Sequence, residues 1–370
     1  STATPSPFQQ DIAICNGTPN VSSSFAYIDN STIFNEINSN GSNVYFTTTF
    51  GGSPNIYSWY EGQLINGSTY CDVWWINLSN GISANSNVTI YMYIGNSSCN
   101  YYSQYYPYVG APIQVLGTSQ YDNGQDVFNY YQNFGNLSSL PSGWSEISGT
   151  SITYTTTYTE IAPSSSTGGW YGIYLNPIPS ALSTPPTIWE FYGNMYDSAE
   201  AGNMIGTENS TGGGPYDYLF SEGNTQTNLI YLANGGYNQY AASTGYNDTN
   251  NNKIYSMALA SSTSLSMLIN YSVIYSNTSA TSESATYFDI NPSNNGGSKP
   301  STPIYIYWLR ARAYPPNGVI PSFSVQLVAP TPTISVNTST NFQFNVSLID
   351  GISEYVNYTV YLNGSVLTTN

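Results

Sequence analysis

Histidine is absent from this 370-residue chain, and four lysines and arginines face twenty aspartates and glutamates, a formal charge of −16. Without histidine there is no Ser-His-Asp or Cys-His catalysis, no His-ligated zinc and no proximal-His haem. The four cations, Lys253, Lys299, Arg310 and Arg312, are too few and too scattered to neutralise a phosphate backbone, so the composition excludes nucleic acid as a partner. Glycine motifs that cradle nucleotides are missing. No run of 18 apolar residues occurs, so no segment reads as a membrane-spanning helix. Only 6% of residues are charged, whereas 40% are hydrophobic and 37 are tyrosine, which predicts a large core beneath an uncharged polar surface.

Asparagine, serine and threonine fill much of the rest. N-x-[ST] triplets begin at Asn16, Asn20, Asn30, Asn40, Asn66, Asn77, Asn87, Asn96, Asn136, Asn209, Asn247, Asn270, Asn277, Asn337, Asn345, Asn357 and Asn363. Such a composition produces triplets by chance, but period-2 alternation puts Asn87, Asn345, Asn357 and Asn363 on polar strand faces, where a glycan disturbs no core. N-glycosylation and an extracellular location are therefore expected. The start at Ser1, with no basic segment before an apolar one, suits a mature secreted product. Three cysteines are an odd number for a secreted chain. A hairpin turning through residues 80–85 would bring Cys71 close to Cys99, so that pair is the expected disulfide, with Cys15 a buried thiol or an alternative partner. With no histidine and few ion pairs to lose, the chain suits an acidic, hot exterior.

Period-2 runs bounded by Gly, Pro, Asn and Ser recur at residues 43–49, 70–78, 88–94, 151–161, 187–192, 254–260, 265–275 and 304–313, and no window shows helical periodicity. The fold class expected is all-β, with tandem β-sandwich or jelly-roll domains. Three domains are expected: 1–115, holding every cysteine; 116–328; and 329–370, opened by Pro330 and Pro332. The last contains three expected strands, Thr333 to Val336, Phe342 to Leu348 and Val356 to Leu362, too few for an immunoglobulin-like sandwich. Its apolar faces call for a cover from another chain, such as the Ser1 to Pro7 segment of a neighbouring copy, or from downstream sequence.

Several stretches have a familiar order and spacing: Thr4 to Ile12, Tyr57-Ser58-Trp59-Tyr60-Glu61, Val73-Trp74-Trp75-Ile76-Asn77-Leu78, Gly81 to Ser86 and Thr89-Ile90-Tyr91-Met92-Tyr93, then Gly110-Ala111-Pro112, Tyr121-Asp122-Asn123-Gly124, Leu140 to Trp144 and Trp308-Leu309-Arg310-Ala311-Arg312. Over residues 4 to 314 they resemble archaeal surface proteins that carry the domain of unknown function DUF2341 followed by a concanavalin-like, laminin-G-like jelly roll. The resemblance implies a surface-exposed modular β protein and carries over no catalytic residue.

Four constellations are candidates for chemistry. Asp122, Asn123 and Asp126 offer hard oxygens around a turn, as calcium requires, or else form an Asx turn; calcium is the one candidate cofactor besides covalent glycans. Arg310 and Arg312 share a strand face with Ile304, Ile306 and Trp308 and call for a buried partner, Glu190 or Glu160. Concanavalin-like folds host glycosidases, but the acids here are too scattered for a catalytic pair, so no enzyme is expected. The tyrosines in residues 101–108, and Tyr231, Tyr237 and Tyr240, are suited to stack on sugars or to pack in a core. Together these point to a glycosylated structural or adhesive surface protein. In one version it is a filament or layer subunit, completed by strand addition between copies or with other surface proteins. The alternative is a glycan-binding adhesin or spike, displayed by a cell or a virus on a longer stalk.

Overall fold

The computed structural model describes residues 2–164, 171–196, 203–208, 217–223, 228–234, 242–278, 285–292 and 303–326, and the strands 333–336, 344–347, 359–362 and 365–369. It is all-β, as expected, with four short α-helices that the absence of long apolar periodicity concealed: α1 Ser31–Glu36, α2 Tyr101–Tyr105, α3 Ile113–Leu116 and α4 Gly124–Val127. Helices of four to six residues are held by tertiary contacts and caps, not by propensity. Asn30 accepts from the Ile33 amide and caps α1. None of the described helices is long and apolar enough to cross a membrane.

Four sheets stack. The first is small, with β3 Val44–Thr47 against β6 Tyr91–Ile94. The second has five strands in the order β2 Tyr27–Asp29, β1 Phe8–Cys15, β5 Thr69–Leu78, β4 Ser58–Asn66 and β7 Val109–Gly110. The third runs β10 Thr150–Tyr154, β11 Thr159–Pro163, β22 Ile304–Ala313, β13 Thr187–Asn194, β18 Lys253–Ser261, β19 Ser264–Ile269 and β20 Ser272–Asn277, with β8 Tyr130–Asn133 also on β22. The fourth runs β17 Ala242–Asn247, β16 Asn228–Asn234, β15 Asp217–Gly223, β14 Asn203–Glu208, β21 Tyr287–Pro292, β12 Gly172–Leu175 and β9 Trp144–Ile147.

Three apolar layers lie between them. Ile173, Leu175, Ile205, Phe288 and Ile290 of the fourth sheet meet Trp189, Phe191, Met257, Met267 and Leu309 of the third, and Trp189 stacks on Phe288 at 4.5 Å. Ile12, Ile14, Tyr60, Trp74 and Ile76 of the second sheet pack against Val44 and Phe46 of the first. The opposite face of the second sheet, with Ala13, Trp59, Val73 and Trp75, packs on the outside of the third through Trp308, Ile254 and Tyr271. Both faces of the second sheet are thus covered. That is why β5 is buried without a break from Cys71 to Ile76, and why Trp74 and Trp75 are buried on opposite sides.

Two expectations are corrected here. Residues 71–78 and 91–94 form no hairpin: β5 pairs with β1 and β4, while β6 crosses to the first sheet and pairs with β3. The disulfide accordingly joins Cys15 to Cys71, and Cys99 is free. Cys15 and Cys71 stand directly opposite in the β1/β5 ladder with Cα atoms 4.0 Å apart, inside the layer between the second and third sheets. Across a separation of 56 residues such a link stabilises by about 4 kcal/mol through loop closure.

At the C-terminal end β23 Thr333–Val336 pairs with β24 Phe344–Ser347, and β25 Thr359–Leu362 pairs with β26 Ser365–Thr369. The last strand was not among those expected, although Asn363-Gly364 is the two-residue turn signal that would have found it. The expected apolar cover of this segment concerns side chains outside the described residues.

Candidate functional site

Two irregularities in otherwise regular strands build the joint between the second and third sheets. In β4 the register slips between Tyr60 and Gly62, making Glu61 the extra residue of a bulge. Against β13, β22 slips so that Tyr192 opposes Trp308 and Gly193 opposes Ile306, leaving Tyr307 extra. The second bulge corrects the expected face. Ile304 and Ile306 point into the sandwich with Leu309 and Ala311, whereas Trp308 joins the outer layer, and Glu190 stands opposite Arg310 on that outer side.

There Arg310 Nε lies 2.6 Å from Glu190 Oε2, Arg312 Nη2 lies 3.0 Å from Glu190 Oε1, and Arg310 Nη2 reaches Glu61 Oε2 at 2.7 Å. Glu190 is the partner the sequence suggested; Glu160, the other candidate, pairs along β11 with Thr153 and Tyr305. Glu61 was missed, since a bulge leaves no mark on alternation. Tyr271 was missed too: it sits in the turn between β19 and β20 at φ 66°, beside Asn270 at φ 47°. This left-handed pair folds the tip of the hairpin so that the phenol donates to Glu61 at 2.5 Å and accepts from Arg310 Nη2 at 2.7 Å.

Arg310 Nη1 and Arg312 Nε and Nη1 are buried without acceptors. They face rings instead: the Arg310 guanidinium carbon is 4.5 Å from the Trp308 centroid and 4.7 Å from Trp75 and Phe128, and that of Arg312 is 4.6 Å from Trp75. Burial pushes the Glu190 carboxyl up, but attraction to Arg310 and then Arg312 outweighs it and holds the pKa below the usual range. Two arginines and two glutamates leave the joint neutral. A fifth group, Asp11, is fully buried on the same face of β1, accepts from the Ala26 amide at 2.7 Å, and is pushed up to about 8, chiefly by burial. Each carboxylate of the joint is engaged, Glu190 and Glu61 by the arginines and Asp11 by the Ala26 amide.

Of the calcium candidates, Asp122 is engaged in hydrogen bonds on both carboxylate oxygens. Asp122 Oδ1 accepts from Trp59 Nε1 at 3.0 Å and the Gly124 amide at 3.2 Å, and Oδ2 accepts from Tyr131 at 2.8 Å and Asn133 Nδ2 at 2.6 Å. Those four donors fill the lone pairs of the carboxylate. Asp126 is exposed in the first turn of α4, and Asn123 Nδ2 donates to the carbonyls of Ser58 and Pro107. The Gly124 amide on Asp122 Oδ1 forms the Asx turn named as the alternative, while Asn123 Oδ1 is buried with no hydrogen-bond partner.

The tyrosines of 101–108 divide: Tyr102 is buried in the core, Tyr106 meets Tyr121 and Tyr108 meets Tyr57, while Tyr101 and Tyr105 gather on Tyr45. On α2 Tyr101 and Tyr105 share one side, four residues apart, and both meet Tyr45 edge-on, at 5.0 and 5.2 Å. Tyr45 stacks on its cross-strand partner Tyr93 at 4.8 Å. Two residues along β6, Tyr91 continues the row and meets Phe50 at 5.5 Å. Phe50 is 40% exposed and Tyr91, Tyr93, Tyr101 and Tyr105 are half-buried, so the outer side of the first sheet presents rings to solvent around a buried Tyr45. The Gly51 amide donates to the Tyr93 hydroxyl, and Asn43 Nδ2 bridges the carbonyls of Glu36 and Gly95 at 2.8 Å each, tying α1 to the rim. Along that rim lie Asn40, Asn96, Ser97, Ser98 and Asn100, all exposed. Sequence order grouped only the α2 tyrosines; Tyr45 and Phe50 join them through the β3/β6 pairing. Tyr231, Tyr237 and Tyr240 lie outside the described side chains.

Among the sequons, Asn16, Asn20, Asn40, Asn87, Asn96 and Asn136 are exposed, and Asn30, Asn66, Asn77, Asn270 and Asn277 are half-buried. Asn209, Asn247, Asn337, Asn345, Asn357 and Asn363 lie outside the described side chains. Asn77 donates its Nδ2, the atom that would carry sugar, to the Asp126 carbonyl at 2.8 Å, and its Oδ1 is buried. Asn66 donates likewise to the Asn20 carbonyl at 3.0 Å. Peptide mapping of natively sourced protein is expected to find glycan at Asn87 and Asn136 and none at Asn77; the reverse pattern would contradict this geometry.

No family model matches the chain. A curated protein of Sulfolobus islandicus rod-shaped virus 1, named Uncharacterized protein 562, is 29% identical over 355 residues, covering 86% of this chain and 56% of its own length. The chain thus spans about half the length of the curated relative it matches. Among solved structures, a Bacillus licheniformis beta-glucanase aligns with 50% of this chain and 97% of its own at 13% identity and a TM-score of 0.34. The carbohydrate recognition domain of Emp46p aligns with 50% and 97% at 10% identity and a TM-score of 0.36. Scores this low carry no functional argument, and the fold assignment rests on the sheets themselves.

Proposed function

We propose that the chain belongs to an extracellular, N-glycosylated attachment protein that binds saccharides on the aromatic surface of its first sheet. The observation that carries this reading is the group of partly exposed rings Phe50, Tyr91, Tyr93, Tyr101 and Tyr105 set around the buried Tyr45, with the Ser97 and Ser98 hydroxyls and the Asn100 amide along its rim. Aromatic faces shed water when they stack on the C–H faces of a sugar ring, and neighbouring amides and hydroxyls orient its hydroxyls. The joint between the second and third sheets makes the two sandwiches one buried unit, a suitable rigid support. Display on a virus particle is the version supported by the viral relative. The test is binding of the full chain to a saccharide array, with Phe50→Ala and Tyr105→Ala alongside. The double variant is expected to lose at least about tenfold in affinity, about 1.4 kcal/mol. Equal binding by variant and wild type would remove this surface from consideration.

A filament or layer subunit remains the second reading. It is favoured by the C-terminal pairs β23/β24 and β25/β26, two-stranded sheets whose outer edges have no ladder partner among the described residues. Such edges accept a strand from a neighbour.

A further inference from the structure

Resting on that saccharide-binding reading, we infer that the aromatic surface selects neutral saccharides and rejects those bearing carboxylate, sulfate or phosphate. Charge placement carries the inference. Arg310 and Arg312 are fully buried in the joint, paired with Glu190 and Glu61. Lys253 is 6% exposed, and its ammonium is spent on Asp248 at 2.8 Å and the Thr249 carbonyl at 2.6 Å. Lys299 lies outside the described residues. Among the described residues, then, no cation is exposed, while Asp29, Glu36, Asp126 and Glu146 are.

The charged residue tied to the rim of the aromatic row, Glu36, has the wrong sign for an acidic sugar. Glu36 is exposed at the end of α1, and its carbonyl shares Asn43 Nδ2 with the Gly95 carbonyl at the turn out of β6. An anionic sugar laid on Tyr93 and Tyr101 would give up hydration and find no exposed guanidinium or ammonium among the described residues in return. Recognition of carboxylates, sulfates and phosphates depends on such partners. A neutral sugar asks only for stacking and for the hydroxyl and amide groups the rim supplies. With no ion pair formed, binding is also insensitive to salt, since screening acts only on charged contacts.

The experiment titrates the full chain with two neutral polymers, laminarin and mannan, and two anionic ones, alginate and heparin, at 50 mM and 1 M NaCl. At least one neutral polymer is expected to bind with a Kd that changes less than about twofold with salt, and the anionic polymers at least tenfold more weakly. The variant Glu36→Lys, at an exposed position, is expected to gain affinity for alginate or heparin at 50 mM NaCl and to lose that gain at 1 M. Preference of the wild type for an anionic polymer, or steep weakening by salt, overturns the selectivity and leaves the saccharide-binding reading standing. Failure to bind either class, or neutral binding unchanged by Phe50→Ala with Tyr105→Ala, overturns both.

Discussion

Replacing Glu190 by alanine is expected to cost about 3–5 kcal/mol of stability, the range for breaking a buried ion pair from one side. The reason is the asymmetry of the joint. Glu190 alone neutralises Arg312 through Nη2 and shares Arg310 with Glu61, and both guanidinium groups already hold donors that face only aromatic rings. Truncation therefore leaves a buried arginine with rings and no anion. Equilibrium unfolding in urea measures the loss, with Glu160→Ala as the comparison because the Glu160 side chain is half-buried on β11. A loss below about 1 kcal/mol for Glu190→Ala would show that the rings, and not the carboxylate, hold the joint. Replacing all partners together by apolar residues is a different experiment, because it removes the stranded charge along with the pair.

The second large effect is that the protein should be more stable at pH 5 than at pH 8. Burial pushes Asp11 up to about 8 and Asp72 up to about 6, and raises Asp122 against the hydrogen bonds of Asn133, Tyr131 and Trp59. A carboxyl whose folded pKa lies above its unfolded value of about 3.8 holds its proton in the folded state after the unfolded chain has released it. Its stabilisation is full below that unfolded value and drains away as pH climbs to the folded one, here across about pH 4 to 8. Glu190 runs the other way: its lowered pKa contributes stability above the ordinary value of 4.5 that is lost as pH falls through the folded one. The optimum therefore falls on the acid side, and the gain from pH 8 to 5 is on the order of 2–4 kcal/mol, mostly from Asp11. Asp11→Asn mimics the protonated carboxyl and is expected to flatten the curve between pH 6 and 8. An unchanged slope in that variant would assign the dependence to other groups. The sequence suggested tolerance of acid from a scarcity of ion pairs; buried carboxyls extend that to stabilisation by acid.

What the sequence determined by itself was whatever depends on local pattern or on scarcity. Alternation in residues 70–78, 187–192 and 304–313 specifies strands because side chains on a pleated backbone alternate, and the structure has β5, β13 and β22 there. Glu190 was legible as a partner for Arg310 because two arginines on a half-apolar strand must be neutralised and few acids lie in strands. The tyrosines near residue 101 were legible as a group because they are contiguous. Only the tertiary structure decided which strands are neighbours, and much followed from that. Cys15 meets Cys71 because β1 lies beside β5, a pairing across 56 residues that no spacing rule encodes. Glu61 and Tyr271 reach Arg310 because a bulge and a left-handed turn re-aim them, and both break the period from which a face is read. Asp11 sits among charges because the second sheet is covered on both sides, and burial is a property of what packs above a residue, not of the residues beside it in the chain.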